Sequence, residues 1–101
     1  MAKSTIIFWR DIPSQVVVKH GRTSAKVQLS KRFMEAIDKA AMRAGRQGSE
    51  EYLEDWRRAI ETCQGEPETL ANSIAEELEQ KYSDDILKAI VKNKGIKIEK
   101  T

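Results

Sequence analysis

The sequence predicts an α+β fold: an N-terminal three-stranded antiparallel meander followed by four helices packed on one sheet face. Three observations carry this. Before Ser30 the apolar residues come in β-branched and aromatic runs separated by short turn-forming segments. After Ser30 they recur at three- and four-residue spacing, the period of a helix with one buried face. The connections between the first runs are too short for parallel crossovers, which need about a dozen residues or more, so the strands must run antiparallel.

Thr5 to Arg10 reads as the first strand, and its unbroken apolarity implies burial on both faces or a central position in the sheet. Asp11-Ile12-Pro13-Ser14-Gln15 is expected to interrupt it as a turn or short crossing loop, since Pro13 fixes its own φ and forces Ile12 extended. Val16-Val17-Val18 begins a second strand. Lys19-His20-Gly21-Arg22 then supplies a tight turn in which Gly21 can take positive φ. From Thr23 to Leu29 apolar Val27 and Leu29 alternate with Lys26 and Gln28, which suggests a third strand with one wet face.

Ser30 suits the N-cap of a first helix whose apolar set is Phe33, Met34, Ile37, Ala40, Ala41 and Ala44, with Gly45 as its stop. A second helix is predicted from Ser49, with Glu50 and Glu51 at the positive end of its dipole and a stripe of Tyr52, Leu53, Trp56, Ile60 and Cys63. Gly65 ends it. Pro67 opens a third helix along Leu70, Ala71, Ile74, Ala75, Leu78 and Tyr82. Ser83 caps a fourth, with Ile86, Leu87, Ile90 and Val91 as its apolar side, ending at Asn93-Lys94-Gly95. The tail from Ile96 to Ile98 alternates and reads as a short strand or a frayed end.

The length of 101 residues fits one domain, 1–101, large enough to bury roughly 60 to 65% of its unfolded surface. Apolar residues make up 40% and charged ones 34%, and no window approaches a membrane span of about 18 apolar residues. The first apolar run is too short for a secretory signal, and the single cysteine, Cys63, cannot form an internal disulfide. A reducing cytoplasm is the expected location. Charge is segregated: residues 1–47 hold ten Lys and Arg against three Asp and Glu, a net +7, whereas residues 48–101 hold eight against thirteen, a net −5. Such a layout can steer an acidic partner or nucleic acid toward the N-terminal half, and it can equally be a solvated surface with internal pairing.

Catalysis finds little support. His20 and Cys63 are the only residues of their kinds, so the chain alone can build neither a zinc site nor a dithiol centre. No glycine-rich phosphate loop occurs. The acid pairs at Glu50-Glu51, Glu54-Asp55, Glu76-Glu77 and Asp84-Asp85 read as solvated helix faces or dipole complements. No cofactor, metal or catalytic residue is expected. The candidate binding residues are Arg10, Asp11, Arg22 and Arg32, because guanidinium forks match phosphate or carboxylate with paired hydrogen bonds. The plainer alternative makes Arg10 and Asp11 a brace that locks the turn, with Trp9 in the core.

The run Ile6-Ile7-Phe8-Trp9-Arg10-Asp11-Ile12-Pro13-Ser14-Gln15-Val16, with Gly21-Arg22, Leu29, Arg32-Phe33, Ala36 through Gly45, Tyr52-Leu53 and Trp56-Arg57, resembles the bacterial virulence factor domain family. The resemblance spans residues 6–58, leaving helices at 67–94 and a tail at 96–101. Related domains close longer virulence factor proteins whose other parts resemble an iron–sulfur scaffold domain and helical repeats. The residues point to a non-catalytic module that binds a protein partner through its basic N-terminal surface, and the resemblance implies, as an alternative, an accessory subunit of a metallocofactor or one-carbon enzyme complex. Nucleic-acid binding is the rival reading, a homodimer a further option, and no membrane partner is expected.

Overall fold

The computed structural model describes residues 2–45 and 50–96. Strand β1, Ala2–Trp9, pairs antiparallel with β2, Ile12–His20, and β2 with β3, Thr23–Gln28. The meander is therefore present, with Gly21 at φ 62° in its second turn. Its first turn differs from expectation. Only Arg10 and Asp11 lie between the paired residues Trp9 and Ile12, and Pro13 belongs to β2. Proline is tolerated there because β3 pairs with β2 only from Gln15 onward and because the register shifts beside Pro13, leaving Ser14 as an extra residue in a bulge. The Ser14 hydroxyl donates to the Ile7 carbonyl at 3.1 Å, and the Ser14 carbonyl accepts from the Leu29 amide at 3.0 Å.

Helix α1, Lys31–Arg43, follows as predicted and ends at Gly45, φ 69°. Ser30 occupies its N-cap position but does not cap it, as its hydroxyl donates to Glu79 at 2.7 Å instead. The next element corrects the predicted second helix. Helix α2 covers only Glu50–Glu54, and Trp56–Cys63 is a strand, β4, paired antiparallel with β1 from Ala2↔Cys63 to Trp9↔Trp56. Ser49, expected to cap that helix, lies outside the described residues.

The physical reason is a degeneracy of spacing. Residues 52, 56 and 60 recur every four positions, which marks one face of a helix and equally one face of a strand, because four is a multiple of two. Tertiary demand decides. Without β4 the apolar β1 would be an unpaired edge; with it, the sheet order is β3-β2-β1-β4 and β1 is central.

Helix α3, Pro67–Lys81, and helix α4, Asp84–Lys92, are the last of the described elements; the Ser83 hydroxyl caps α4 by accepting from the Ile86 amide at 3.3 Å. Of the helices, α3 and α1 bear most broadly on the sheet. Helix α3 covers β2 and β3, α1 packs on β2, α4 stacks chiefly on α1, and the short α2 sits at β4. Between them, Trp9, Ile12, Val16, Val18, Phe33 and Ile37 have no exposed surface, and Ala36, Ala40 and Ala41 let α1 approach its neighbours closely. The predicted strand at 96–98 falls largely on residues outside those described.

Candidate functional site

The turn that carries Arg10 and Asp11 is held from every direction. Arg10 has φ 54°, the sign that primed two-residue hairpin turns require at their first central position, and glycine is the residue that adopts it cheaply. Here arginine is kept there by contacts. Its amide donates to the Asp55 carbonyl at 2.9 Å, Nε to the Asp55 carboxylate at 3.0 Å, and Nη1 to the Lys94 carbonyl at 2.7 Å. The guanidinium lies 5.2 Å from the centre of the Trp9 ring. The Asp11 amide donates to the Gly95 carbonyl at 2.9 Å, and its carboxylate receives Arg57 Nη2 at 3.1 Å. Arg57 also donates from Nε to the Arg10 carbonyl at 2.8 Å and stacks 4.4 Å from the Phe8 ring. The Trp9 indole N–H finds the Tyr52 carbonyl at 2.9 Å. The turn thus joins β1–β2 to the start of β4 and the end of α4.

Arg32 is likewise engaged. It donates to the carbonyls of Tyr82 and Glu79 and to the Glu79 carboxylate at 3.1 Å, with Asp84 at 3.4 Å. Glu79 also receives the Ser30 amide and hydroxyl, each at 2.7 Å. Burial alone would raise the Glu79 carboxyl, but the Ser30 and Arg32 hydrogen bonds overcome it and hold the group below its ordinary value. The Tyr82 hydroxyl is pushed up, first by burial and then by Asp11. Of the four sequence-nominated residues, Arg10 and Asp11 thus share one braced turn, Arg32 ties α1 to α3 and α4, and Arg22 alone stands exposed, in the β2–β3 turn.

The sheet supplies a surface that those four residues did not describe. Cross-strand partners share a face. One row reads Ser24, Lys19, Lys3, Thr62; the next Lys26, Val17, Thr5, Ile60; the third Gln28, Gln15, Ile7, Arg58. These rows alternate with those of Val16 and Val18, which meet the helices, so they form the opposite face. Lys3, Lys19, Lys26 and Arg58 are all exposed, and the three rows contain no acidic residue. A depression of about 370 Å³ lies among Lys3, Thr5, Lys19, Gly21 and Ile60. Sequence reading placed Lys26 on a wet strand face and Lys19 in a turn, and passed over Lys3 and Arg58. Arg58 joins the face of these lysines only once β4 is recognised as a strand.

Among the described residues, no three His, Cys, Asp or Glu side chains are grouped to hold a metal ion. His20 ends β2 and Cys63 ends β4, with β1 between those strands, a separation of about 10 Å from two strand spacings. No described helix is long and apolar enough to cross a membrane.

Fold and surface define a small α+β domain whose one sheet face is buried under helices and whose other face is open and basic. The family described as "Virulence factor" matches residues 7–91, and the chain belongs to it. The match runs well past the stretch at 6–58 and takes in β4, α3 and most of α4. The family's description associates such domains with virulence. No curated protein and no solved structure matches the chain.

Proposed function

We propose that this domain is a non-catalytic binding module of the virulence factor family, acting by docking an acidic protein partner on the open face of its sheet. The observation that carries this reading is the one-sided charge of that face, with four exposed cations and no carboxylate over three complete cross-strand rows. Around Val17, Thr5 and Ile60 the cations frame a weakly apolar centre. Long-range attraction then sets encounter while apolar contact adds residence time. Arg22, exposed at the rim beyond His20, extends the same field. Arg10, Asp11 and Arg32 serve as braces that hold the face in shape.

The test is capture of partners by the tagged protein from its native host, beside a Lys19→Glu/Lys26→Glu variant and an Arg22→Glu variant. All three positions are exposed, so circular dichroism should be unchanged while the double variant loses the captured protein. Retention of that protein by the double variant refutes the proposed face. Capture that nuclease abolishes moves the reading to nucleic acid, for which the same cations would serve as phosphate contacts. The absence of aromatic side chains in the three rows favours protein, since single-stranded nucleic acid is held largely by stacking.

A further inference from the structure

Strand β4 has a neighbour on one side only among the described residues, and of the devices that blunt an edge it carries charged side chains but no proline, bulge or shortening. It is eight residues long, contains no proline, and keeps an unbroken register with β1 over its whole length. The opposite edge, β3, is shorter and is packed by α3. Ile60, on the open face of β4, is 62% exposed.

The charges along β4 are self-complementary. Arg57 and Glu61 lie on the helix-facing side, equally far from Ala59, which pairs with Ile6 in that face. An antiparallel pairing of two identical edges requires a twofold axis perpendicular to the sheet, so residues facing one way in one copy meet residues facing the same way in the other. Centred on Ala59, this pairing sets Arg57 opposite Glu61 of the second copy and Glu61 opposite its Arg57. Arg58 then flanks Ile60 of the second copy, its methylene stem lying over the exposed branched side chain. Centring on Arg58 would put two guanidiniums face to face, and centring on Ile60 would leave Arg57 opposite Cys63 and Glu61 opposite Ala59. Arg57 is already ordered over Phe8 by the Asp11 carboxylate and the Arg10 carbonyl, so Glu61 of the second copy would join an existing ion pair.

We infer that β4 is a homodimer edge, pairing with β4 of a second copy about a twofold axis at Ala59, with Arg57 and Glu61 as reciprocal ion pairs. The result is one continuous eight-stranded sheet. Because the axis is perpendicular to it, the two basic faces lie side by side on the same surface. The inference stands independently of any partner on that surface, and its test uses none.

Sedimentation equilibrium of the whole chain at millimolar concentration should give about 23 kDa, twice 11.5 kDa. Glu61→Arg, an exposed change that places like charges opposite one another twice, should weaken the dimer by roughly tenfold or more with unchanged circular dichroism. In a Cys63→Ser background, Ala59→Cys should form an intermolecular disulfide on mild oxidation, because opposed Cα atoms lie about 4.5–5.5 Å apart, within disulfide reach. Ile60→Cys should do so far less. A monomer at that concentration, an undiminished Glu61→Arg dimer, or cross-linking stronger at 60 than at 59 each overturns the inference.

Discussion

Gly95 offers the sharpest test of how the turn is held. It follows α4 at φ +90°, is buried, donates its amide to the Ile90 carbonyl at 2.8 Å and accepts the Asp11 amide at 2.9 Å. A Cβ placed there would stand 2.7 Å from Trp9 Cζ3 and 3.2 Å from Arg10 Cδ. Trp9 has no exposed surface, so its ring has nowhere to retreat. Gly95→Ala therefore combines a backbone penalty of about 1–3 kcal/mol with an overpacking penalty of about 1–3 kcal/mol. Gly21→Ala is the control, since φ +62° carries the backbone term while nothing lies within 4 Å. It should cost about 1 kcal/mol. Urea unfolding should place Gly95→Ala at least about 1 kcal/mol below Gly21→Ala, and thermal midpoints should differ by at least roughly 4–8 °C. Equal stability of the two variants would refute the packing of Gly95 on Trp9 as the reason for glycine.

Arg10→Ala should lower stability by about 2–4 kcal/mol in chemical denaturation, because it removes the Asp55 ion pair while keeping the positive φ. Arg10→Gly should recover about 1 kcal/mol of that loss by relieving the backbone. Arg32→Ala should cost about 2 kcal/mol through its contacts to Glu79 and Tyr82, whereas Arg22→Ala should stay within about 0.5 kcal/mol of wild type by the same measurement. Glu79 makes stability pH-dependent. Its folded value lies below the ordinary 4.5, so its contribution is present above that range and is lost as pH falls through the depressed folded value. Glu79→Gln should flatten this acid limb in denaturation midpoints measured from pH 6 down to pH 3, which span the range about pKa 4.5.

Most of the helical half was legible because Phe33, Ile37, Leu78, Leu87 and Ile90 repeat at helix spacing over whole turns and because Pro67 and Ser83 sit where helices start. Trp56 to Cys63 was not, since its spacing serves both periods and only the need of β1 for a second neighbour chooses between them. Pro13 misled for a related reason. A proline breaks an interior strand, yet beside a bulge with a single neighbouring strand it is harmless. The roles of Arg10 and Arg32 were unreadable because their partners Asp55, Lys94, Glu79 and Tyr82 lie 45 to 84 positions away, where no local pattern reports them. The basic face was half visible: Lys26 alternates within its own strand, but Arg58 joins Lys3 and Lys19 only through β4.

The docking of the Arg10–Asp11 turn on Lys94 and Gly95 also bears on how the protein is made. Arg10 and its Lys94 acceptor are 84 residues apart, so a ribosome adding about 5–20 residues per second delivers the acceptor between about 4 and about 17 s after the turn. Throughout that interval β1 is an apolar strand whose β4 side stays bare until residue 56 has followed, and the turn stays unanchored until residue 95 has emerged. The nascent chain is thus at its stickiest early and is secured by almost its last described residues, which makes the β1 edge the segment a cellular chaperone would have to shield.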